Sequence, residues 1–531
     1  MTPPPVLAID GVTKRFGALV ANDGISLTLG RGEVLALLGE NGAGKSTLMS
    51  ILYGHYVADA GGIRVGGADG ALAPLAPGSP KAAIAAGIGM VHQHFALADA
   101  LSAFDNVTLG TEPLWRPWRD RRPARQRIEG LMADCGLTVD LAARTGTLSV
   151  GERQRVEILK ALYRDARILV LDEPTAVLTP QEADGLFATL ETLTARGLSV
   201  IFISHKLGEV LAVADRVAVL RQGRKVMEAE NVGLDRAMLA EAMVGRPVAP
   251  PDRPPGRPGR PMLMLAGLDA PGPGGGRAGL AGVDLTVRAG EIVGVAGVSG
   301  NGQEALAAVV SGLLAPSAGA VTIDGEPLAA DPRAAVAAGI GRIPEDRHRD
   351  GVVGDMSVEE NLVLEDLRGP ATQRRGILRF GAMRRQALAA IAAYDVRCPG
   401  PAAKVRQLSG GNIQKLVLAR ALAREPKVVV AAQPSRGLDI GATQAVHARL
   451  IEARGRGAAV LLISEDLDEL LALSDRIVVL FHGRLAEAGE NRDLDAWRIG
   501  LMMAGQNVAN VGNGGRGRLG SPELPPEART K

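Results

Sequence analysis

GENGAGKST, residues 39–47, follows the apolar run EVLALL and leads into the helix-like segment LMSILYG. In that setting it fits the phosphate-loop pattern GxxxxGK[ST]. Its glycines allow backbone N–H groups to close around phosphate oxygens at the start of a helix. We predict that Lys45 contacts the β- and γ-phosphates of a nucleotide and that the Ser46 hydroxyl binds Mg²⁺. The predicted nucleotide-binding set is Gly39, Glu40, Asn41, Gly42, Ala43, Gly44, Lys45, Ser46 and Thr47.

Three more polar residues follow apolar, strand-like runs. Asp172 and Glu173 end the run ILVL, and His205 follows VIFIS. Ligands of open α/β sheets bind beyond the carboxyl ends of the strands, so these side chains belong near the phosphate loop. We predict that Asp172 binds Mg²⁺ and that Glu173 is the general base that polarises the attacking water. His205 is predicted to contact the γ-phosphate.

Gln93 and Phe16 rest on less specific patterns. Gln93, in IGMVHQHF, is predicted to reach both Mg²⁺ and the attacking water. Phe16, in TKRFGA, either stacks on adenine or belongs to the core, and the pattern leaves both roles open. Aromatic residues make up only 3% of the chain. A place for Phe16 in the core is therefore as consistent with the composition as a place at the adenine.

The same series of motifs occurs twice. LSVGERQRVEILKALYR begins at Leu148 and LSGGNIQKLVLARALAR at Leu408, 260 positions later. Asp172 and Ala432 have the same separation. A constant separation over several motifs indicates a duplicated domain rather than a short-period solenoid. Apolar runs followed by helical periodicity predict parallel strands with crossover helices, and therefore an α/β fold in each half.

A length of 531 residues is too great for one hydrophobic core. The proline- and glycine-rich stretch 246–262 separates the two copies, because these residues disfavour helices and strands. We predict a first domain at 1–245, a linker at 246–262, a second domain at 263–505 and a disordered tail at 506–531.

Charge and composition exclude several classes of protein. A net charge of +2 does not favour nucleic acid as a partner. Cys135 and Cys398 do not have the spacing of a zinc site. No apolar run reaches the roughly 18–20 residues that span a bilayer, and the N-terminus does not resemble a signal peptide. We expect a protein of the reducing cytoplasm whose membrane contact is made through partner subunits only.

Taken together, Phe16, GENGAGKST, Gln93, LSVGE, LVLDEP and ISHK resemble the ATP-binding-cassette family over residues 5–505. The resemblance implies two tandem P-loop cassettes, each a RecA-like α/β core with a helical subdomain and an antiparallel β subdomain. It also implies head-to-tail pairing, with ATP held between one phosphate loop and the opposite signature motif. LSGGN at 408–412 resembles that signature. The implied cross-interface contacts are Ser409, Gly410, Gly411, Asn412 and Asp439.

This pairing makes the two composite sites unequal. The first combines the first-half residues with LSGGN and Asp439, and every expected group is present. In the second, Gln303 replaces the lysine and Glu304 the serine of the phosphate loop. The other replacements in the second site are Ala432, Gln433, Glu345, Glu465, Val150 and Thr179. We predict hydrolysis at the first site only, and the second half either binds ATP without hydrolysing it or acts as a brace.

MVHQHF, GVSGNGQ, IPEDR and AAQPSRGLD are similar to the bacterial simple-sugar and nucleoside importers, and most similar to the nucleoside type. The resemblance implies an ATP-hydrolysing subunit, peripheral at the cytoplasmic face of the cell membrane. It further implies two permease subunits, moved by the segments after Gln93 and Glu345, and an extracytoplasmic binding protein, expected to be a lipoprotein. A ribose- or galactose-type sugar importer is the alternative. A soluble tandem-cassette translation factor is a more distant alternative. Such factors normally have a long, charged helical linker and two catalytic sites, whereas the linker here is short and one site lacks its catalytic residues.

Overall fold

The computed structural model describes residues 4–67, 71–92, 95–111, 121–175, 178, 180–247, 253–272, 278–367, 369–503 and 505. The strands of the first half are β1 (Pro5–Phe16), β2 (Leu19–Gly30), β3 (Val34–Gly39), β4 (Ala60–Gly66), β5 (Leu72–Pro74), β6 (Ile88–Val91), β7 (Ile168–Asp172), β8 (Ser199–Ile203), β9 (Arg216–Arg221) and β10 (Arg224–Glu230). Its helices are α1 (Lys45–Leu52), α2 (Pro80–Ala85), α3 (Ala103–Thr108), α4 (Arg122–Cys135), α5 (Val150–Tyr163), α6 (Pro180–Ala195), α7 (Leu207–Val213) and α8 (Arg236–Val244).

The second half repeats this order. Its strands are β11 (Pro261–Ala270), β12 (Leu280–Arg288), β13 (Ile292–Ala296), β14 (Ala318–Ile323), β15 (Glu326–Pro327), β16 (Ile340–Ile343), β17 (Gln373–Arg374), β18 (Ile377–Leu378), β19 (Val428–Ala432), β20 (Ala459–Ser464), β21 (Arg476–Phe481) and β22 (Arg484–Glu490). Its helices are α9 (Gln303–Val310), α10 (Pro332–Ala338), α11 (Val358–Val363), α12 (Phe380–Ala393), α13 (Gly410–Leu422), α14 (Ile440–Gly455), α15 (Leu467–Leu473) and α16 (Ala496–Met503).

Each half has a mixed central sheet and a separate antiparallel sheet. The central sheets have the strand orders β10-β9-β3-β8-β7-β6 and β22-β21-β13-β20-β19-β16. Their neighbouring strands are parallel, except that β10 and β22 run antiparallel to β9 and β21. The antiparallel sheets have the orders β2-β1-β4-β5 and β12-β11-β14-β15. The α/β architecture predicted for each half is confirmed.

β3 shows how the pattern of apolar residues produces these layers. All of its residues are buried, as expected for a parallel strand covered on both faces. Side chains alternate along a strand, so Val34, Ala36 and Leu38 pack against the helical side. Leu35 and Leu37 pack on the other face, among the residues of the antiparallel sheet. This double coverage fixes the position of the carboxyl end of β3, where the phosphate loop begins.

The described end of the predicted linker is fastened to the second half. Arg253 Nη1 donates to the carbonyl oxygen of Ser474 over 2.5 Å. Arg454, which is buried, donates through Nη2 to the Pro254 carbonyl and forms an ion pair with Asp475 at 2.8 Å. β11 begins at Pro261, within the last two residues of the predicted linker. Within the described residues, no helix is both long and apolar enough to cross a membrane.

Candidate functional site

The phosphate loop joins the buried end of β3 to the start of α1. Gly44, the residue before α1, has φ +100°, a left-handed conformation that glycine adopts without steric cost. A Cβ at this position would lie 2.3 Å from the Ala21 carbonyl oxygen, so the surrounding backbone leaves no room for a side chain. The loop therefore presents its N–H groups at a helix N-terminus, where an anion is stabilised.

Lys45 begins α1 and is only 8% exposed. Its Nζ donates to the carbonyl oxygens of Gly39, at 2.6 Å, and Glu40, at 3.1 Å. Burial lowers the pKa of the amine, and the charges of Glu173 and Asp172 partly oppose that shift. The lysine is therefore held inside the loop by two neutral acceptors, which phosphate oxygens can replace.

Asp172 ends β7 and Glu173 follows it directly, at the edge of the sheet where the phosphate loop lies. Burial, followed by the neighbouring charge of Glu173, raises the pKa of Asp172. Glu173 has φ +49°, unusual for a residue with a side chain, and its N–H donates to the Ile203 carbonyl over 2.8 Å. Strained backbone of this kind is common at functional sites, and here it holds the carboxylate in a fixed position.

His205 lies beside Glu173, with 3.1 Å between His205 Nδ1 and Glu173 Oε1. Burial acts to raise the pKa of Glu173, but the hydrogen bond to His205 and the charge of Lys45 outweigh it, so that this pKa is lowered. Glu173 therefore stays a carboxylate, the form that a general base requires. The sequence placed His205 at the γ-phosphate, whereas its contact here is with the predicted base.

Phe16, the last residue of β1, is 43% exposed, so its alternative role as a core residue is wrong. Its ring meets Tyr56 edge-on, with 5.4 Å between the ring centroids. The ring lines a cavity of about 450 Å³ together with phosphate-loop residues, Asp172, Glu173 and His205. An exposed aromatic face at the mouth of that cavity is suited to stack on a planar base.

The second half completes this cavity, whose lining includes its Gly437 and Leu438. Asn41 Nδ2, in the first phosphate loop, donates to the Gly437 carbonyl over 2.9 Å. A neighbouring cavity of about 810 Å³ joins Glu40 to the second-half signature residues Ser409, Gly411 and Asn412 and to Asp439. The first phosphate loop thus shares one cavity with the Gly437 turn, and its Glu40 shares a neighbouring cavity with the second signature motif. That these parts form one composite nucleotide site stays a prediction.

The two signature motifs differ in how their serines are used. Ser409, before α13, does not cap its helix through its side chain, and its Oγ accepts from Asn412 Nδ2 over 2.9 Å. Ser149, before α5, forms a capping box in which Glu152 bonds back to the Ser149 N–H over 2.8 Å. The capping box places the Glu152 carboxylate at the end of α5 where a phosphate would bind, whereas α13 has the neutral Asn412 at the matching position.

The ABC transporter family profile matches residues 22–176 and 280–435, one match in each half. The chain is also similar, along nearly its whole length, to curated import proteins that include the following three. These are the glucose import ATP-binding protein TsgD13 of Haloferax volcanii (46% identity; 98% of this chain, 99% of the relative), the guanosine import ATP-binding protein NupO of Bacillus subtilis (42%; 96% and 99%) and the nucleoside import ATP-binding protein NupA of Lactococcus lactis (42%; 95% and 99%).

The chain belongs to the ABC transporter family. It is an ABC transporter ATPase with two tandem cassettes, one in each half of the chain. The family resemblance read from the motifs is therefore confirmed. The roles assigned to individual site residues remain predictions that the geometry described above supports.

In the second cassette of this ABC transporter ATPase, the phosphate loop is bridged by its own side chain. Gln303 Nε2 donates to the Val298 carbonyl over 2.8 Å, and Gln303 Oε1 accepts from the Asn301 N–H over 3.1 Å. A loop N–H is thus bonded to a carboxamide, and the positive charge supplied by Lys45 in the first loop is missing. The cavity beside this loop is lined, among the described residues, by second-half residues alone.

The second cassette keeps the backbone conformation of the strand end that holds the acidic pair in the first cassette, although the acids themselves are replaced. Gln433 has φ +46° and donates its N–H to the Ile463 carbonyl over 2.7 Å, matching the geometry of Glu173. Ala432 and Gln433 therefore occupy the positions of the acidic pair without the carboxylates. Glu465, at the position of His205, is half-buried, and that partial burial raises its pKa. The duplicated fold is complete here, and only the chemistry is changed.

Two predicted residues lie outside the described part of the chain, Gln93 and, in the second site, Thr179. Two contacts at the first site were not predicted from the sequence. Tyr56 supports the ring of Phe16, and the Gly437 carbonyl accepts from Asn41. Gly437 belongs to the motif RGLD, whose Asp439 was predicted to reach the first site. No pattern in the sequence distinguished Tyr56 from a core aromatic residue.

Proposed function

We propose that this chain is the ATP-hydrolysing subunit of a nucleoside importer and that it hydrolyses ATP at one composite site. The observation that carries the proposal is the first site itself. An intact phosphate loop, two acids and a histidine line one cavity with the Gly437 turn of the opposite cassette, and Glu40 of that loop lines a neighbouring cavity with the signature residues. The second site has none of these charged groups in place, and its phosphate loop is bridged by Gln303.

The proposed chemistry assigns one task to each group in the first site. Lys45 exchanges its two carbonyl partners for the β- and γ-phosphates, and the N–H groups around Gly44 hold the remaining phosphate oxygens. Glu173, kept ionised, polarises the water that attacks the γ-phosphorus. Ser409 and the N–H groups at the start of α13 bind the γ-phosphate from the other side. Hydrolysis removes that bridge and allows the halves to separate.

The donors at the first site suit Mg²⁺. Asp172 and Ser46 offer hard oxygen atoms beside the phosphate loop, and the burial that raises the pKa of Asp172 favours a nearby cation. Mg²⁺ is usually bound through one or two protein oxygens together with substrate phosphates and water. Bound there, the ion would neutralise charge that develops on the phosphates.

The proposed substrate class rests on the motifs. Relatives at 39–46% identity are named for the import of glucose, guanosine, nucleosides and ribose, so their names do not separate nucleosides from sugars. The glucose, guanosine and nucleoside relatives each match more than nine-tenths of the chain, which supports an import subunit over a translation factor. By this proposal the chain lies at the cytoplasmic face of the membrane, with two permease subunits and an extracytoplasmic binding lipoprotein as partners.

The test is ATP turnover by the chain reconstituted with its permeases and binding protein. We expect purine or pyrimidine nucleosides to stimulate turnover, and glucose, ribose and galactose to leave it unchanged. Stimulation by a free sugar alone would replace the nucleoside proposal with a sugar importer. If neither class stimulated turnover in a complex that hydrolyses ATP, the chain would not serve either substrate class.

A further inference from the structure

One arginine outside the predicted site contacts both second-half segments that face the first nucleotide site. Arg347 lies in the segment Glu345–Gly351, which follows β16 and ends in a π-helical turn at Arg347–Gly351. Its Nη1 donates to the Arg436 carbonyl over 2.7 Å. Arg436 directly precedes Gly437, the residue whose carbonyl accepts from Asn41 of the first phosphate loop.

The same guanidinium lies against the start of the signature helix. A Cβ built on Gly410 would be 3.0 Å from Arg347 Nη2, and one built on Gly437 would be 3.6 Å from it. Arg347 therefore lies between α13 and the Gly437 turn, and a side chain on Gly410 would crowd it. The signature glycine thus has a packing reason in this half, in addition to its proposed contact with phosphate.

The segment that carries Arg347 is fixed to the same two elements at other points. Arg420, in α13, donates through Nη2 to the Gly351 carbonyl over 2.7 Å. The Arg436 side chain forms an ion pair with Glu345. This pair is largely exposed and adds little to stability, so its effect is on the placement of the turn. The segment also shares a cavity of about 530 Å³ with Glu173 and His205 of the first half.

The first half does not repeat this arrangement. Aligning Gln93 with Glu345 places Phe95 at the position of Arg347, and Val150 stands at the position of Gly410. Lys160 of α5 stands at the position of Arg420 and donates to the Ala96 carbonyl over 2.8 Å. The first half therefore keeps a bond like the one from Arg420 to the Gly351 carbonyl. The arginine and the glycine occur together only in the half whose signature faces the intact phosphate loop.

We propose that Arg347 is a positioning residue for ATP hydrolysis at the first site. It holds the Gly437 turn and the start of α13 in one relative placement, so that both meet ATP on the opposite cassette together. The inference rests on the proposed single catalytic site. Arg347 acts through the segments that it contacts and not on the nucleotide itself.

The experiment compares Arg347→Ala with Arg492→Ala in the full chain assembled with its permeases. Arg492 is an exposed arginine of the second half that pairs with Glu490 and lies outside the segment after Glu345. Misplacing catalytic groups by about 1 Å costs on the order of 10²-fold in rate, so we expect R347A to lower kcat for ATP by about 10- to 100-fold. KM should change little, since the first phosphate loop is unaltered. R492A should resemble wild type.

Three further measurements separate positioning from folding. R347A should melt at the wild-type temperature, and Arg347→Lys, which keeps one donor and the charge, should recover part of the turnover. Combined with Asn41→Ala, R347A should cost less than the sum of the two single effects, because both act through the Gly437 turn. If R347A does not fold, Arg347→Met, which keeps the volume without a donor, is judged by the same criteria.

Wild-type kcat in folded R347A, or an equal loss in R492A, would overturn the role of Arg347. The proposed function is judged separately by Glu173→Gln. If turnover survives Glu173→Gln, the single-site premise is wrong. If Glu173→Gln abolishes turnover but R347A leaves it intact, only the positioning role of Arg347 is wrong.

Discussion

Glu173→Gln is expected to lower ATP turnover by the assembled complex by about 10²- to 10⁴-fold, the usual contribution of a general base. The glutamine keeps the size of the side chain and can still bond to His205, so the fold and ATP binding should persist. It cannot accept a proton from the attacking water at neutral pH. The measurement is steady-state phosphate release, with ATP binding measured in parallel to show that the site is still occupied.

Gln433→Glu is the matched control because Gln433 has the same left-handed backbone and the same N–H bond as Glu173 in the other cassette. Added to wild type it should change turnover little, and added to Glu173→Gln it should restore none, since Gln303 still bridges the second loop. Turnover near the wild-type value in Glu173→Gln would contradict the single-site proposal. Recovery in the double variant would show that the second site is competent.

Lys45→Ala should weaken ATP binding at the first site. Hydrogen bonds to charged groups contribute about 1.5–3 kcal/mol each, so losing the Lys45 contacts predicts binding weaker by about 10-fold or more. Gln303→Ala is the matched variant in the second loop, and it should leave both affinity and turnover unchanged. Calorimetric titration with a non-hydrolysable ATP analogue is expected to give one bound nucleotide per wild-type chain. Two bound nucleotides, one of them lost in Gln303→Ala, would show that the second loop binds ATP.

The sequence was sufficient for the fold and for most of the first site, because local rules govern both. A phosphate loop between a buried strand and a helix has one geometry, and acids at the end of a buried strand reach one edge of the sheet. Asp172 and Glu173 accordingly line the cavity of the phosphate loop. The replacements in the second cassette also follow from aligning the two copies.

What the sequence could not provide depends on side-chain rotamers and on contacts between distant segments. Nothing in GVSGNGQ indicates that the carboxamide of Gln303 turns back to the Asn301 N–H. The exposure of Phe16 depends on how β1 meets the strand that follows it, and the bond from Asn41 to Gly437 joins residues 396 positions apart. Arg347 was visible only as part of IPEDR, because its partners are brought to it by the tertiary fold.

The connection between the two cassettes bears on how they meet. Arg253 and Arg454 hold its described end to the second half. Because both cassettes belong to one chain, the two halves of the proposed site meet at a high effective concentration set by the connection. Closure around ATP is then a first-order event, whose rate does not depend on protein concentration. A single-cassette ATPase must instead find a second copy before it can close.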